Sequence, residues 1–227
     1  MNLIKAYIRY ILYLLKIRTT IPAVLINRKR IQDNGDQLVD LRQNKDLFFG
    51  DSLSASAVLI RSGVAEKLEQ ASKLLPENVH FKVLSAYRSM AEQQNLYNTY
   101  YQQMKHDHPT ASETDWERMT KAICANPKNG GGGHQTGGAV DITLCDQDGN
   151  DLDMGSGYLE MCSKTPTRAT NISFSACQNR KILCQALQAV DMQNYPNEWW
   201  HFCYGDKMWA AYRHKKYAIY GPIYIDE

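Results

Sequence analysis

No stretch of this 227-residue chain carries the ~20 consecutive apolar residues that a membrane-spanning helix needs. Within residues 3–17 the longest uncharged run covers only residues 10–15. That is also shorter than the apolar region of a secretory signal, and no small-residue cleavage site follows it. Excess charge of one sign is missing too. Lys and Arg number 26 against 24 Asp and Glu, a net +2, which argues against the concentrated basic surface of a nucleic-acid-binding protein. The six cysteines (Cys124, Cys145, Cys162, Cys177, Cys184 and Cys203) contain no C-x-x-C pair. They read as reduced thiols of a cytoplasmic protein, with a membrane-associated or periplasmic placement as the alternative. None lies in a glycine-rich or cationic setting that would favour a thiolate nucleophile. Internal repeats are absent, and low complexity is confined to residues 130–133.

What is present is the composition of an ordinary folded domain, 44% hydrophobic and 22% charged. Residues 3–17 are rich in Ile, Leu and Tyr, and Lys5, Arg9 and Lys16 fall near one side of a helix. Such an amphipathic helix would either pack on its own domain or make peripheral contact with a membrane or a partner. A polar connector follows at residues 27–36, which divides the chain into an N-terminal segment and connector, 1–37, and a main folded domain, 38–227.

Apolar spacing predicts helices over 62–75, over 89–104 (with Ser89 and Glu92 forming a capping box) and over 179–192. Alternation predicts strands over 81–87 and 139–144, and an aromatic run after the Pro196 break predicts one over 199–204. The elements are interspersed without regular βαβ order. The expected fold is therefore α+β, a small and mostly antiparallel sheet flanked by helices.

Three clusters concentrate chemistry. In the first, His134 and Asp141 stand seven residues apart across Gly137-Gly138, glycines that could turn the chain so that both side chains meet one ion. Singly, His134 reads as a loop histidine and Asp141 as a hydrogen-bonded carboxylate. Their company in a glycine-rich run reads as a site. In the second, Glu198-Trp199-Trp200-His201 lodges a histidine among aromatics, either as a core residue or as a ligand in a dry shell. Hydrolytic zinc sites keep three protein ligands and leave a fourth position for water, and His134, Asp141 and His201 supply such an N2O set. Cys203 is the competing soft ligand, with the weaker signal. In the third, Arg88 stands at a strand end before a capped helix, either in a surface ion pair or as a held functional group.

These blocks, with Ala86-Tyr87-Arg88, Asp151-Leu152-Asp153-Met154-Gly155, Asn194-Tyr195-Pro196 and Gly205-Asp206, resemble in order and spacing the zinc D-alanyl-D-alanine dipeptidases. That family includes enzymes of vancomycin resistance and is related to D,D-carboxypeptidases. The resemblance spans roughly residues 38–222. It implies a single zinc-peptidase domain with one Zn2+ per chain on His134, Asp141 and His201. It also implies Glu198 as general base, Arg88 as oxyanion stabiliser and a small D-amino-acid peptide as substrate.

Two positions depart from the family. Gly132 stands where many members have Ser, and Leu159 stands where some have the Asp that receives the dipeptide's amino group. Tyr158 aligns with that Asp's Phe neighbour, and Glu160, one residue on, is the candidate substitute. The expected reaction is hydrolysis of D-Ala-D-Ala to two D-alanines. The alternatives are a D,D-carboxypeptidase acting on longer stem peptides and, from another class, a non-catalytic zinc-stabilised module that binds cell-wall peptides.

Overall fold

The computed structural model describes residues 3–51, 53–129 and 132–224; Gly130 and Gly131 of the glycine run lie outside the described residues. In chain order the elements begin with α1 (Leu3–Leu14), α2 (Ala23–Ile26), β1 (Arg30–Ile31), β2 (Leu38–Asp40), β3 (Leu47–Phe49), β4 (Leu59–Arg61), α3 (Ser62–Ser72) and β5 (His80–Ser85). They continue with α4 (Met90–Asp107), α5 (Glu113–Ile123), β6 (Ala139–Cys145), α6 (Phe174–Ala189), β7 (Gln193–Asn194), β8 (His201–Cys203), α7 (Lys207–Tyr212) and β9 (Tyr217–Ala218).

The sheet that positions the site has five strands in the order β3-β5-β6-β8-β7. Only β3 and β5 run parallel within it; the remaining neighbours are antiparallel. Strand β6 (Ala-Val-Asp-Ile-Thr-Leu-Cys) is buried at every position, as a β-branched central strand covered on both faces should be. Helices α3 and α6 close one face, where Val64, Leu68, Leu183 and Leu187 pack with Phe81, Val83, Ile142 and Leu144 in one core.

The α+β architecture agrees with expectation, and so does the capping box. The Ser89 hydroxyl accepts from the Glu92 amide while the Glu92 carboxylate accepts from Ser89 N. Boundaries differ for local reasons. Helix α3 ends at Ser72, short of Pro76. Helix α6 starts at Phe174, five residues before the expected start, because the Ser173 hydroxyl caps the Ala176 amide. Helices α5 and α7 were not expected.

The connector is not loose. Strand β1 pairs in parallel with β9, and the buried Arg61 binds the connector at Asp33 Oδ2 (2.9 Å) and at the Asp36 carbonyl. The same guanidinium donates to Thr136 O (2.9 Å) and Gly221 O (3.2 Å). Near the far end of the chain, Ile223 N donates to Gln135 O (2.8 Å) and Tyr87 donates its hydroxyl proton to Ile223 O (3.1 Å).

Candidate metal centre and active-site cleft

Strand register builds the first half of the site. In the β6–β8 ladder Asp141 pairs directly with His201, and in the β5–β6 ladder a bulge between Val83 and Ser85 sets Ser85 opposite Asp141. The third group arrives from a loop. Residues His134–Thr136 form a 3-10 turn closed by Gly137 at φ 65°, a left-handed conformation that glycine adopts without strain. At Gly138 a Cβ would lie 2.6 Å from the Tyr204 carbonyl, so the chain passes there only as glycine. This turn carries His134 back over Asp141 and reconciles their odd sequence offset.

One nitrogen from each of His134 and His201 and one oxygen of Asp141 lie within 4.8 Å of one another, and all three residues are buried. The Asp141 Oδ1 is 3.3 Å from His134 Nε2 and 2.9 Å from His201 Nδ1. At His134 the other ring nitrogen, Nδ1, donates to the Ala86 carbonyl at 2.5 Å. That bond fixes the tautomer and leaves Nε2 with a free lone pair, the arrangement common behind metal-binding histidines.

Electrostatics keep a charged carboxylate between the two imidazoles. Burial alone would raise the Asp141 carboxyl, but His134 and His201 outweigh it and hold it well below the usual range. Burial lowers His134 toward the neutral imidazole. At His201 the pull of Asp141 exceeds the burial effect and raises it.

The second oxygen of Asp141 accepts from the Tyr158 hydroxyl at 2.8 Å. Burial and the Asp141 charge push the Tyr158 phenol upward, so it stays a donor. Its loop is tied down by the buried Arg180, which donates to the carbonyls of Met154 (2.8 Å), Pro166 (2.7 Å) and Lys164 (2.8 Å). Trp199 adds a bond from its indole to Ser156 Oγ (3.1 Å).

Glu198 and Arg88 line the same cleft of about 1280 Å3 as the three candidate ligands, along with Tyr100, Leu159, Tyr195 and Trp200. Burial pushes the Glu198 carboxyl up to about 7. Arg88 is aimed by Gln93, whose Oε1 accepts from the guanidinium at 3.0 Å. Gln93 is itself held by Gln135 (2.9 Å), and it donates to the Ala125 carbonyl (2.7 Å).

One expectation needs correction. Glu160 is not among the cleft-lining residues. It is exposed, and its Oε2 accepts from the Gly157 amide at 2.8 Å within its own turn. Leu159, at φ 60°, faces the cleft instead. Trp199 is buried beneath Arg180, so of the tryptophan pair only Trp200 lines the cleft. Cys203 packs with Ala139 and Trp209, outside the His-Asp-His group.

Tyr158, Gln93 and Gln135 were missed from sequence. The signals available were a phenol in place of a phenyl at 158 and two glutamines placed just after the Arg88 and His134 motifs.

A family model described as D-ala-D-ala dipeptidase, of peptidase family M15, matches residues 47–219. A curated D-alanyl-D-alanine dipeptidase from Synechocystis sp. is 28% identical, over 76% of this chain and 82% of its own. A D-alanyl-D-alanine dipeptidase of Escherichia coli (strain K12) is 36% identical over a shorter span, 32% of this chain and 37% of that protein. A solved vancomycin resistance D,D-pentapeptidase in complex with Zn(II) is 19% identical with a TM-score of 0.44, covering 74% of this chain and 85% of that one.

Proposed function

The chain belongs to peptidase family M15, the D-Ala-D-Ala dipeptidases, and from that premise we propose that it hydrolyses the D-alanyl-D-alanine bond with one zinc ion held by His134, Asp141 and His201. The observation that carries this reading is the buried N2O cluster, which opens on the same cleft as Glu198 and Arg88. The donor set suits zinc, which accepts imidazole nitrogen and carboxylate oxygen in three-ligand hydrolytic sites. Zinc bound there would lower the pKa of water to about 7 and polarise the scissile carbonyl.

The remaining work falls to the protein. Glu198 accepts a proton from the attacking water and returns it to the nitrogen of the departing D-alanine. Burial disfavours the charged form of this carboxyl, which raises its proton affinity and so suits it to take up the proton and hand it on. Arg88 meets the negative charge that develops on the substrate carbonyl oxygen, and Gln93 limits the directions its guanidinium can take. Arg88→Ala should lower kcat by ~10²–10³-fold, with a smaller change in KM. Lysine should rescue only part of that loss, since it keeps the charge without the planar fork.

Tyr158 supports Asp141 from behind. Tyr158→Phe removes one hydroxyl and should weaken zinc binding by ~10–100-fold, read by titration against a competing chelator. Unchanged affinity would show that the hydroxyl only packs.

A second reading concerns substrate length. Leu159 offers no charge to a free amino group, Glu160 is turned away, and the cleft is roomier than a dipeptide requires. These favour a D,D-carboxypeptidase that cuts the terminal D-alanine from a longer stem peptide. D-alanine release should therefore be measured in parallel from D-Ala-D-Ala and from a pentapeptide ending in it. Cleavage of the dipeptide supports the first reading and cleavage of the pentapeptide alone the second. Zinc-loaded protein that cuts neither would overturn both.

A further inference from the structure

We propose that α1 is a membrane-docking helix that seats this protein on the surface of an anionic phospholipid bilayer, independently of the reaction in the cleft. On a 3.6-residue period the helix has three faces. Ala6, Tyr10 and Tyr13 turn inward. Ala6 is fully buried, and Tyr13 packs edge-on to Tyr212 with ring centroids 5.6 Å apart, beside Ile21. The second face is cationic, with Lys5 and Arg9 exposed and continued by Lys16. The third is apolar, and its residues Tyr7, Ile8, Ile11, Leu14 and Leu15 are each more than half exposed. A contiguous apolar stripe on a helix already anchored to its domain marks an interaction surface.

Charge selects the occupant. Residues 1–32 contain seven Lys and Arg (Lys5, Arg9, Lys16, Arg18, Arg28, Lys29 and Arg30) and no Asp or Glu. The fold gathers further cations at the same pole. Lys29 donates to the Lys215 carbonyl and Lys207 to the Asn27 carbonyl, which brings the connector against α7. Among the described residues, Asp191 is the acid that pairs with Arg213 and Lys215 there. A near-neutral chain that concentrates cations around one exposed apolar helix matches the physics of interfacial helices. Apolar side chains enter the acyl boundary while Lys and Arg meet anionic headgroups. Among the described residues no helix is long and apolar enough to cross a membrane, so the proposed contact lies in the plane of the interface. The segment also borders the cleft through Arg9, Ile21 and Pro22, so docking would place the cleft mouth close to the lipid surface.

The test is sedimentation of the full chain with vesicles of phosphatidylcholine containing about one third phosphatidylglycerol, and with phosphatidylcholine alone. Binding should favour the anionic vesicles by ~10-fold or more and weaken as salt is raised. The double variant Ile8→Glu/Ile11→Glu should reduce that binding at least ~10-fold without changing the melting temperature. Neither residue lines the cleft, so D-Ala-D-Ala hydrolysis in solution should be unchanged, and that assay reports on the catalytic reading separately. Failure to sediment with anionic vesicles would overturn the proposal, as would equal binding by the variant. Concentration-dependent self-association abolished by the variant would identify a second copy of the chain as the occupant and overturn it as well.

Discussion

Glu198→Gln is expected to lower kcat on D-Ala-D-Ala by ~10²–10⁴-fold, the usual contribution of a positioned proton-transfer group, while the protein still binds one equivalent of zinc. The amide keeps the volume of the carboxylate but cannot take the proton from the attacking water. Because Glu198 is not one of the clustered donors, metal content should not change, and measured zinc separates this outcome from collapse of the site. Activity within a few-fold of the parent would remove Glu198 from the role of base.

The same substitution should stabilise the fold. In the folded protein burial raises the Glu198 carboxyl from 4.5 to about 7, so the native state prefers the protonated form. A raised value of this kind favours folding below about 4.5, and the advantage is lost as pH climbs through about 7. Above that, the parent carries an ionised carboxylate in a partly dry cleft, at a cost of at most about 3 kcal/mol; the glutamine variant does not. Chelator-treated parent and variant should therefore unfold alike near pH 5 and diverge by pH 8, the variant being more stable. An equal gap at both pH values would show that the gain comes from packing rather than charge. If it holds, the catalytic carboxylate is kept at the expense of stability.

Asp141→Ala should abolish stoichiometric zinc binding and reduce hydrolysis to background. Only 3% exposed, Asp141 accepts from His201 and Tyr158 and faces His134 Nε2. Truncation takes away one of three donors. It also strands the Tyr158 hydroxyl and two imidazoles in a buried space, and each group left without its partner costs roughly 1–3 kcal/mol. Metal analysis and denaturant unfolding read the two consequences separately. A variant that still holds one zinc would remove Asp141 from the ligand set.

Much of this centre is visible in the chain, and what escapes does so for definable reasons. Alternation marks β6, an aromatic run after Pro196 marks β8, and the glycines at 137 and 138 announce the turn that returns His134. The pairing of Asp141 with His201 is a matter of register, which neither strand carries alone. Tyr158 reaches Asp141 from a loop whose course is decided by Arg180, a residue of α6 with no local mark of that role. Helix α7 has six residues, too few for a periodic pattern, whereas α5 does carry a signal, with Trp116, Met119 and Ile123 at helical spacing behind the Ser112 cap. Glu160 failed as a candidate because a neighbouring amide in its own turn captures its carboxylate before the cleft can.

Arg61 and the strap formed by residues 221–223 bear on how the centre comes into being. The His134 turn is braced from Thr136 through Arg61 to Gly221, and from Gln135 to Ile223. On the ribosome all three donors emerge before that strap does, so the turn lacks its last native braces until Ile223 has left the exit tunnel. Completion of the His134-Asp141-His201 cluster is thus a late event in the life of the nascent chain, timed by residues outside it.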